Sequence, residues 1–273
     1  MHRNIEDVEF TIFDTETTGL EPESGDRVIE IAGIRFKGDR QISIFNTLVN
    51  PHRQVSPGAF AVNKISQDML MDAPDFSEIA EKFMDFVSGS VLCSYNAPFD
   101  MGFIGNELGM INRDIPHDLL VVDALKMSRR LLPGLERYSL WFISDKLGIK
   151  TKQEHRAFSD VEITREVFNK LKAIARAKGI FDLGSFLRLF GVSQKTADDF
   201  NSRRIAEISE AIKLGAKLKI KYFSSVTAEV TEREVVPKGI KLDKNIAFMV
   251  AYCFLRNEER LFRVDGILHL EIV

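Results

Sequence analysis

Near its start the chain carries an apolar run, Val8 to Phe13, that ends in two carboxylates two residues apart, Asp14 and Glu16, followed by Thr17, Thr18 and Gly19. Short apolar runs bounded by turn residues read as strands, and two more follow, Val28 to Phe36 and Ile42 to Val49, joined by the polar turn Lys37-Gly38-Asp39-Arg40. From Ser77 to Val87 the positions Ile79, Ala80, Phe83, Phe86 and Val87 recur at helical spacing, with Ser77 placed as N-cap. Val91 to Tyr95 is a short strand leading through Asn96-Ala97-Pro98-Phe99-Asp100 into a helix with Phe103, Ile104 and Leu108 on its apolar side. Leu119 to Val122 is another strand, and helices follow to Leu132, from Ser139 to Leu147 and from about Ala157 to Lys178. Strands alternating with helices after a hairpin predict a mixed α/β sheet with helices on its faces over residues 1–178.

Residues 179–206 read as a helical connector of short pieces interrupted by Gly184 and Gly191, with a basic pair, Arg203-Arg204. Beyond it, over 207–273, the period changes to two. Lys217, Lys219 and Lys221 alternate with Leu218, Ile220 and Tyr222, and Val226, Ala228 and Val230 alternate with Thr227, Glu229 and Thr231. Ile246 to Leu255 and Leu261 to Leu270 add two strands around Asn257-Glu258-Glu259, giving a small sheet or half-open barrel.

A chain of 273 residues with 45% hydrophobic and 28% charged content has the composition of a soluble protein with a good-sized core and a smaller module. The net charge of −3 gives no global field for a polyanion, so nucleic acid would have to be held by local groups or by metal ions. Two cysteines, Cys93 and Cys253, both in apolar runs, exclude a disulfide framework. The first residues form no apolar signal segment and no run of about 18 apolar residues occurs, so the expectation is a cytoplasmic protein with no membrane partner.

In a strand, side chains at i and i+2 share a face, so Asp14 and Glu16 present their oxygens together. Taken alone, such a pair is more often a solvated strand end than a metal site. Asp100 follows the fourth strand and Asp160 lies early in the last long helix, places where α/β sheets build ligand sites. Four converging carboxylates repel one another unless cations neutralise them, and all-oxygen ligands select Mg²⁺ or Mn²⁺. Two such ions hold both the attacking and the leaving oxygen of a displacement at phosphorus, and a neutral histidine such as His155 can take the proton from the attacking water.

Three ordered motifs carry a resemblance: Phe-Asp14-Thr-Glu16-Thr-Thr-Gly19, Asn96-Ala97-Pro98-Phe99-Asp100 and His155-Arg156-Ala157-Phe158-Ser159-Asp160. Together they resemble the DEDDh (DnaQ-like) 3′→5′ exonucleases, over roughly Val8 to Leu171. The resemblance implies a ribonuclease H-like fold, two Mg²⁺ or Mn²⁺ ions held by Asp14, Glu16, Asp100 and Asp160, and His155 as general base. It also implies a pocket for the terminal nucleotide lined by Thr17, Thr18 and Leu20, with Phe99 and Asn96 beside it, and single-stranded 3′ ends of DNA or RNA as partners. This chain has Tyr95 and Asn63 where many relatives carry histidines, and Asp123 stands where a helix cap is expected. A proofreading partnership with a polymerase and a non-catalytic, nucleic-acid-binding regulator are the alternatives.

The last third is similar to the WYL domain, a small Sm-like β module. The similarity runs through Tyr222, Arg233 to Pro237, Ala247 to Cys253 and Arg260 to Ile267, with Ala-Phe-Met in place of the name-giving Trp-Tyr-Leu and Gly266 where an arginine is usual. Arg233, Phe248, Arg260 and Arg263, with Arg256 and Tyr252, are the candidates for a basic and aromatic patch that would take a nucleotide or nucleic acid.

Overall fold

The structure, a computed structural model, describes residues 3–150, 156–192, 194–244 and 246–273, and for 194–200 the backbone only. The chain forms two compact units, one of Glu6–Lys126 with Glu136–Leu171, the other of the residues up to Ile5, Met127–Leu135 and Lys172–Val273. No helix among the described residues is long and apolar enough to cross a membrane.

The first unit is built on a five-stranded sheet. Strands β1 (Glu9–Thr17), β2 (Val28–Lys37), β3 (Arg40–Leu48), β4 (Val91–Ser94) and β5 (Val121–Asp123) lie in the order β3-β2-β1-β4-β5. The first three are antiparallel, while β4 pairs with β1 and β5 with β4 in parallel. The apolar run predicted a strand ending at Phe13, yet β1 continues through Thr17. Pairing with β2 carries it on, Asp14 opposite Ala32 and Glu16 opposite Glu30, until a bulge between Glu16 and Thr17. The ladder thus holds the two carboxylates on rigid backbone.

Helices α1 (Pro57–Asn63), α2 (Gln67–Leu70), α3 (Phe76–Val87), α4 (Ala97–Met110), α5 (Ala124–Leu131), α6 (Leu140–Lys146) and α7 (Ala157–Ala177) follow in chain order. The N-cap of α3 is Asp75, two residues before the expected Ser77. The Glu78 carboxylate reaches back to accept the Asp75 N–H at 2.8 Å, a reciprocal arrangement that Ser77 lacks. The unit's core is aromatic. Phe10 packs on Phe168 of α7 at 4.8 Å between ring centroids and on Phe36 at 6.2 Å, while Phe13 and Phe45 meet Phe83 of α3. Each ring taken from water contributes about 1.5–3 kcal/mol, so these contacts fix α3 and α7 against the sheet. Gly33 admits α3, since a Cβ there would lie 2.7 Å from the Phe86 ring.

The second unit contains α8 (Leu183–Phe190), α9 (Gln194–Leu214) and strands β6 (Leu218–Ser224), β7 (Glu229–Asp243), β8 (Ile246–Cys253), β9 (Glu258–Arg263) and β10 (Ile267–Ile272). The strands form one antiparallel sheet in the order β10-β6-β7-β8-β9. Ile208 and Ala211 of α9 pack onto Leu218, Ile220, Val235, Met249 and Phe262. Pro237, which cannot donate to a ladder, sits at a bulge between Pro237 and Gly239.

Three expectations for this region need correction. Gly184 does not interrupt a helix but lies in the first turn of α8, capped by the Asp182 carboxylate on Ser185 N–H. Val226 to Ala228 form no strand: Ser224 pairs with Glu229 to close a hairpin, leaving Val226 83% exposed in the turn. Leu261 to Leu270 is two strands, broken by a 3₁₀ turn at Val264–Gly266.

Candidate active site

Alternation along β1 turns Thr15 and Thr17 inward and leaves Asp14 and Glu16 half-buried on the other face. One turn into α7, Asp160 joins them: one oxygen from each of Asp14, Glu16 and Asp160 lies within 4.8 Å of the others. Asp100 stands beside this trio in the first turn of α4, 2% exposed, with both oxygens engaged. Its Oδ1 accepts Thr15 N–H at 3.0 Å and Thr15 Oγ1–H at 2.8 Å, and its Oδ2 accepts Ser94 Oγ–H at 2.6 Å. Three of the four expected carboxylates therefore converge, and the fourth is pinned between the ends of β1 and β4.

Burial and the surrounding like charges disfavour ionisation here. Burial, then Asp100, Glu16 and Asp160, hold the Asp14 carboxyl well above the usual range. Burial, then Asp160 and Glu30, push Glu16 up to about 8, while a hydrogen bond from Asn63 acts the other way. Burial raises Asp100 to about 6 against the hydrogen bonds from Ser94 and Thr15. An all-oxygen donor set whose members raise one another's pKa fits a hard divalent cation, which would relieve the repulsion that burial intensifies.

A stability test follows from the sign of these shifts. Glu16 ionises at about 8 in the fold against an ordinary 4.5, so its contribution is full below about 4.5 and is lost as pH rises through about 8. In chelator the melting temperature should fall from about pH 5 to about pH 9. The fall should be shallower in Glu16→Gln and largely removed by Mn²⁺. Equal pH slopes for the two proteins would refute the assignment.

Two ion pairs with buried carboxylates shape the frame around the site. Glu30, opposite Glu16 on β2 and 2% exposed, accepts a fork from Arg156, Nη2 to Oε1 at 2.6 Å and Nε to Oε2 at 3.0 Å, plus Ala157 N–H at 3.0 Å. This clamp fixes the first residue of α7 and hence the carboxylate of Asp160 one turn on. Sequence reasoning missed Glu30, although a lone carboxylate within Val-Ile-Glu30-Ile-Ala was a signal, because a charge in an apolar strand needs a partner. Arg27 forks Glu107 in the same way at 2.7 Å for both bonds, tying the start of β2 to α4. The left-handed Asn96 before α4 donates its N–H to Asp123 Oδ1 at 3.1 Å, and Leu125 N–H caps on the same oxygen at 2.9 Å.

The remaining candidates separate by exposure. His155 lies outside the described residues. Thr17 and Thr18 are buried and turn inward: Thr17 Oγ1 donates to Gly19 O and Thr18 Oγ1 to Asp26 Oδ1 at 2.9 Å. A Cβ at Gly19 would overlap the Asp26 carboxylate, which would have to leave its hydrogen bond with Thr18. The loop they shape holds Leu20 in solvent at 79% exposure. Asn96 is exposed, and Phe99 is half-buried with its ring 5.0 Å from that of Phe103.

The C-terminal candidates do not form one patch. Phe248 and Arg263 stand opposite each other across β8 and β9, while Arg260 pairs with Ala251 on the other face, the side to which Arg233 also turns toward Cys253. Arg263 forks Asp265 at 2.7 and 3.0 Å, and Arg130 meets the same carboxylate at 2.5 Å. Burial alone would raise Asp265, but Arg130 and Arg263 outweigh it and hold the carboxyl below its ordinary range.

A family model described as an exonuclease matches residues 11–168, and a WYL-domain model matches residues 203–272. The DNA polymerase III subunit epsilon of Treponema pallidum is 39% identical over 170 residues, covering 62% of this chain and 78% of that protein. The DNA polymerase III subunit epsilon-like protein of Rhodobacter capsulatus is 34% identical over 187 residues, 67% of this chain and 26% of its own. The chain thus spans about a quarter of that relative. Among solved structures, the nuclease domain of 3′hExo bound to rAMP aligns with a TM-score of 0.55 at 17% identity, covering 62% of this chain and 94% of that one. Escherichia coli Exonuclease I in complex with a dA16 oligonucleotide aligns with a TM-score of 0.55 at 19% identity, covering 90% of this chain and 55% of that one. At such identities these two neighbours show a shared fold. The WYL-domain model covers about a quarter of the chain, and by the reach of the exonuclease model over more than half of its length, the chain belongs to the exonuclease family.

Proposed function

We propose that this protein is a divalent-metal-dependent 3′→5′ exonuclease that removes nucleoside 5′-monophosphates from single-stranded 3′ ends. The convergence of Asp14, Glu16 and Asp160 within 4.8 Å carries the reading. Those three residues and Asp100 would hold two Mg²⁺ or Mn²⁺ ions, which when bound supply charge stabilisation for the attacking and leaving oxygens at phosphorus. Thr15 and Ser94 keep Asp100 oriented, and the Glu30–Arg156 clamp keeps α7 in register with β1. His155, the residue before the clamped Arg156, takes the proton from the attacking water. The P–O3′ bond breaks, and the shortened strand keeps a free 3′-hydroxyl. Leu20, Asn96 and Phe99, the candidates that reach solvent, would receive the terminal base and sugar.

The test is a degradation panel. Single-stranded DNA and RNA labelled at the 5′ end should shorten to a ladder in Mn²⁺, stay intact in chelator, and resist when the 3′ end is blocked. Failure of every substrate to shorten would end the proposal. The similarity to a polymerase III epsilon subunit favours a second role as a proofreading partner. Co-purification of a polymerase with the tagged chain is its measurement.

A further inference from the structure

In the second unit a cavity of about 580 Å³ lies among α8, α9 and strands β6 and β10. Four cations line it, Arg188, Arg203, Arg204 and Lys221, against two carboxylates, Asp182 and Glu207, so positive charge is in excess by two. Asp182 caps α8 through Ser185 N–H at 2.8 Å, and Glu207 pairs with two of the four cations, Arg204 at 2.9 Å and Arg203 at 3.6 Å, which leaves Arg188 and Lys221 as the excess charge. Phe181 forms part of the wall, 49% exposed, with the Lys221 ammonium 5.6 Å from its ring centroid.

We propose that this cavity is a binding site for a nucleotide-sized organic phosphate, with the phosphate on Arg188 and Arg204 and a planar base on Phe181. Its volume falls within the range of about 300–1,000 Å³ common for small-molecule sites. The arginines differ from those of the nuclease frame. Hydrogen bonds donated to Glu107 and Glu30 push Arg27 and Arg156 up, whereas burial and then the charge of Arg204 push Arg188 down. Burial lowers Arg204 as well, against Glu207 and reinforced by Arg203. A largely buried guanidinium whose charge a neighbouring arginine disfavours, as Arg204 does for Arg188 and Arg203 for Arg204, is stabilised by an anion placed against it. Arg204 is 13% exposed and Arg203 86%, which places one at the floor and the other at the mouth. Phe181 then offers a π-face, and the ammonium beside it another positive charge, which suits a nucleoside phosphate better than inorganic phosphate alone.

The experiment uses the full chain in chelator, where the nuclease reaction cannot proceed, and the variants at Arg188, Arg204 and Phe181, all in the other unit, distinguish binding here from AMP held as product at the nuclease site. Binding of AMP and of inorganic phosphate is measured by calorimetry. AMP is expected to bind, with affinity reduced about tenfold by Arg188→Gln and by Arg204→Gln. Phe181→Ala should weaken AMP and leave inorganic phosphate unchanged. No AMP binding at millimolar concentration, equal affinity for the two probes, or binding of a single-stranded oligonucleotide but not of AMP would each overturn the proposal. Should a Gln variant unfold, Phe181→Ala, a change at an exposed ring, carries the same test.

Discussion

Asp14→Asn is expected to lower nuclease turnover by about a thousandfold while leaving the protein at least as stable in chelator as the parent. The substitution keeps the shape of the side chain and removes its charge, so it imitates the protonated carboxyl that burial, Asp100, Glu16 and Asp160 already favour. At about pH 8 the parent must hold these acids together in the fold, at a cost the unfolded chain escapes. The variant is spared part of that cost. Added Mn²⁺ should raise the melting temperature of the parent, because a ligand bound only to the folded state stabilises it by mass action, and should raise that of the variant far less. Turnover and Mn²⁺-induced stabilisation read against melting in chelator separate loss of a ligand from loss of the fold. A variant that keeps both activity and metal response would show that Asp14 is not a ligand.

Much of this site was legible in the chain because its signals are local. Period two along β1 puts Asp14 and Glu16 on one face whatever the rest of the fold does, and Asp100 and Asp160 follow recognisable strand-to-helix transitions. What was not legible depends on pairing between distant segments. Asp100 is turned by Thr15, 85 residues away, and Glu30 is paired by Arg156, 126 residues away. Neither partner can be chosen from spacing. The buried state of Thr17 and Thr18 likewise follows from Asp26 filling the space beside Gly19, a contact fixed by the loop's closure. In the C-terminal third, alternation ran past its proper end. Val226 and Ala228 keep period two with their neighbours, but a hairpin must turn somewhere, and Ala228 adopts φ +52° there. The basic and aromatic residues of that region were legible as types, yet strand register sends Arg260 and Arg263, three apart on β9, to opposite faces.

Arg156→Ala carries the second large effect, on stability and turnover together. Glu30 has a side-chain exposure of 3%, and without the guanidinium its charge would be left in an apolar strand with Ala157 N–H as one remaining donor. Breaking a buried pair from one side costs about 3–5 kcal/mol; solvent around Arg156, whose side chain is 39% exposed, brings the expectation to about 2–3 kcal/mol. That corresponds to a melting temperature lower by about 5–10 °C. Arg156→Lys should recover little, since an ammonium cannot supply two parallel bonds to the Glu30 oxygens. The double variant Glu30→Met with Arg156→Met separates the two roles, because replacing both members of a buried pair by apolar side chains is close to neutral for stability. If the clamp matters only to folding, the double variant recovers melting temperature and turnover together. If it holds α7 so that Asp160 meets Asp14 and Glu16, melting recovers while turnover in Mn²⁺ stays at least about tenfold low, since small displacements of a positioned group are costly. The second outcome is the expected one, and full recovery of turnover would reduce the clamp to a structural pair.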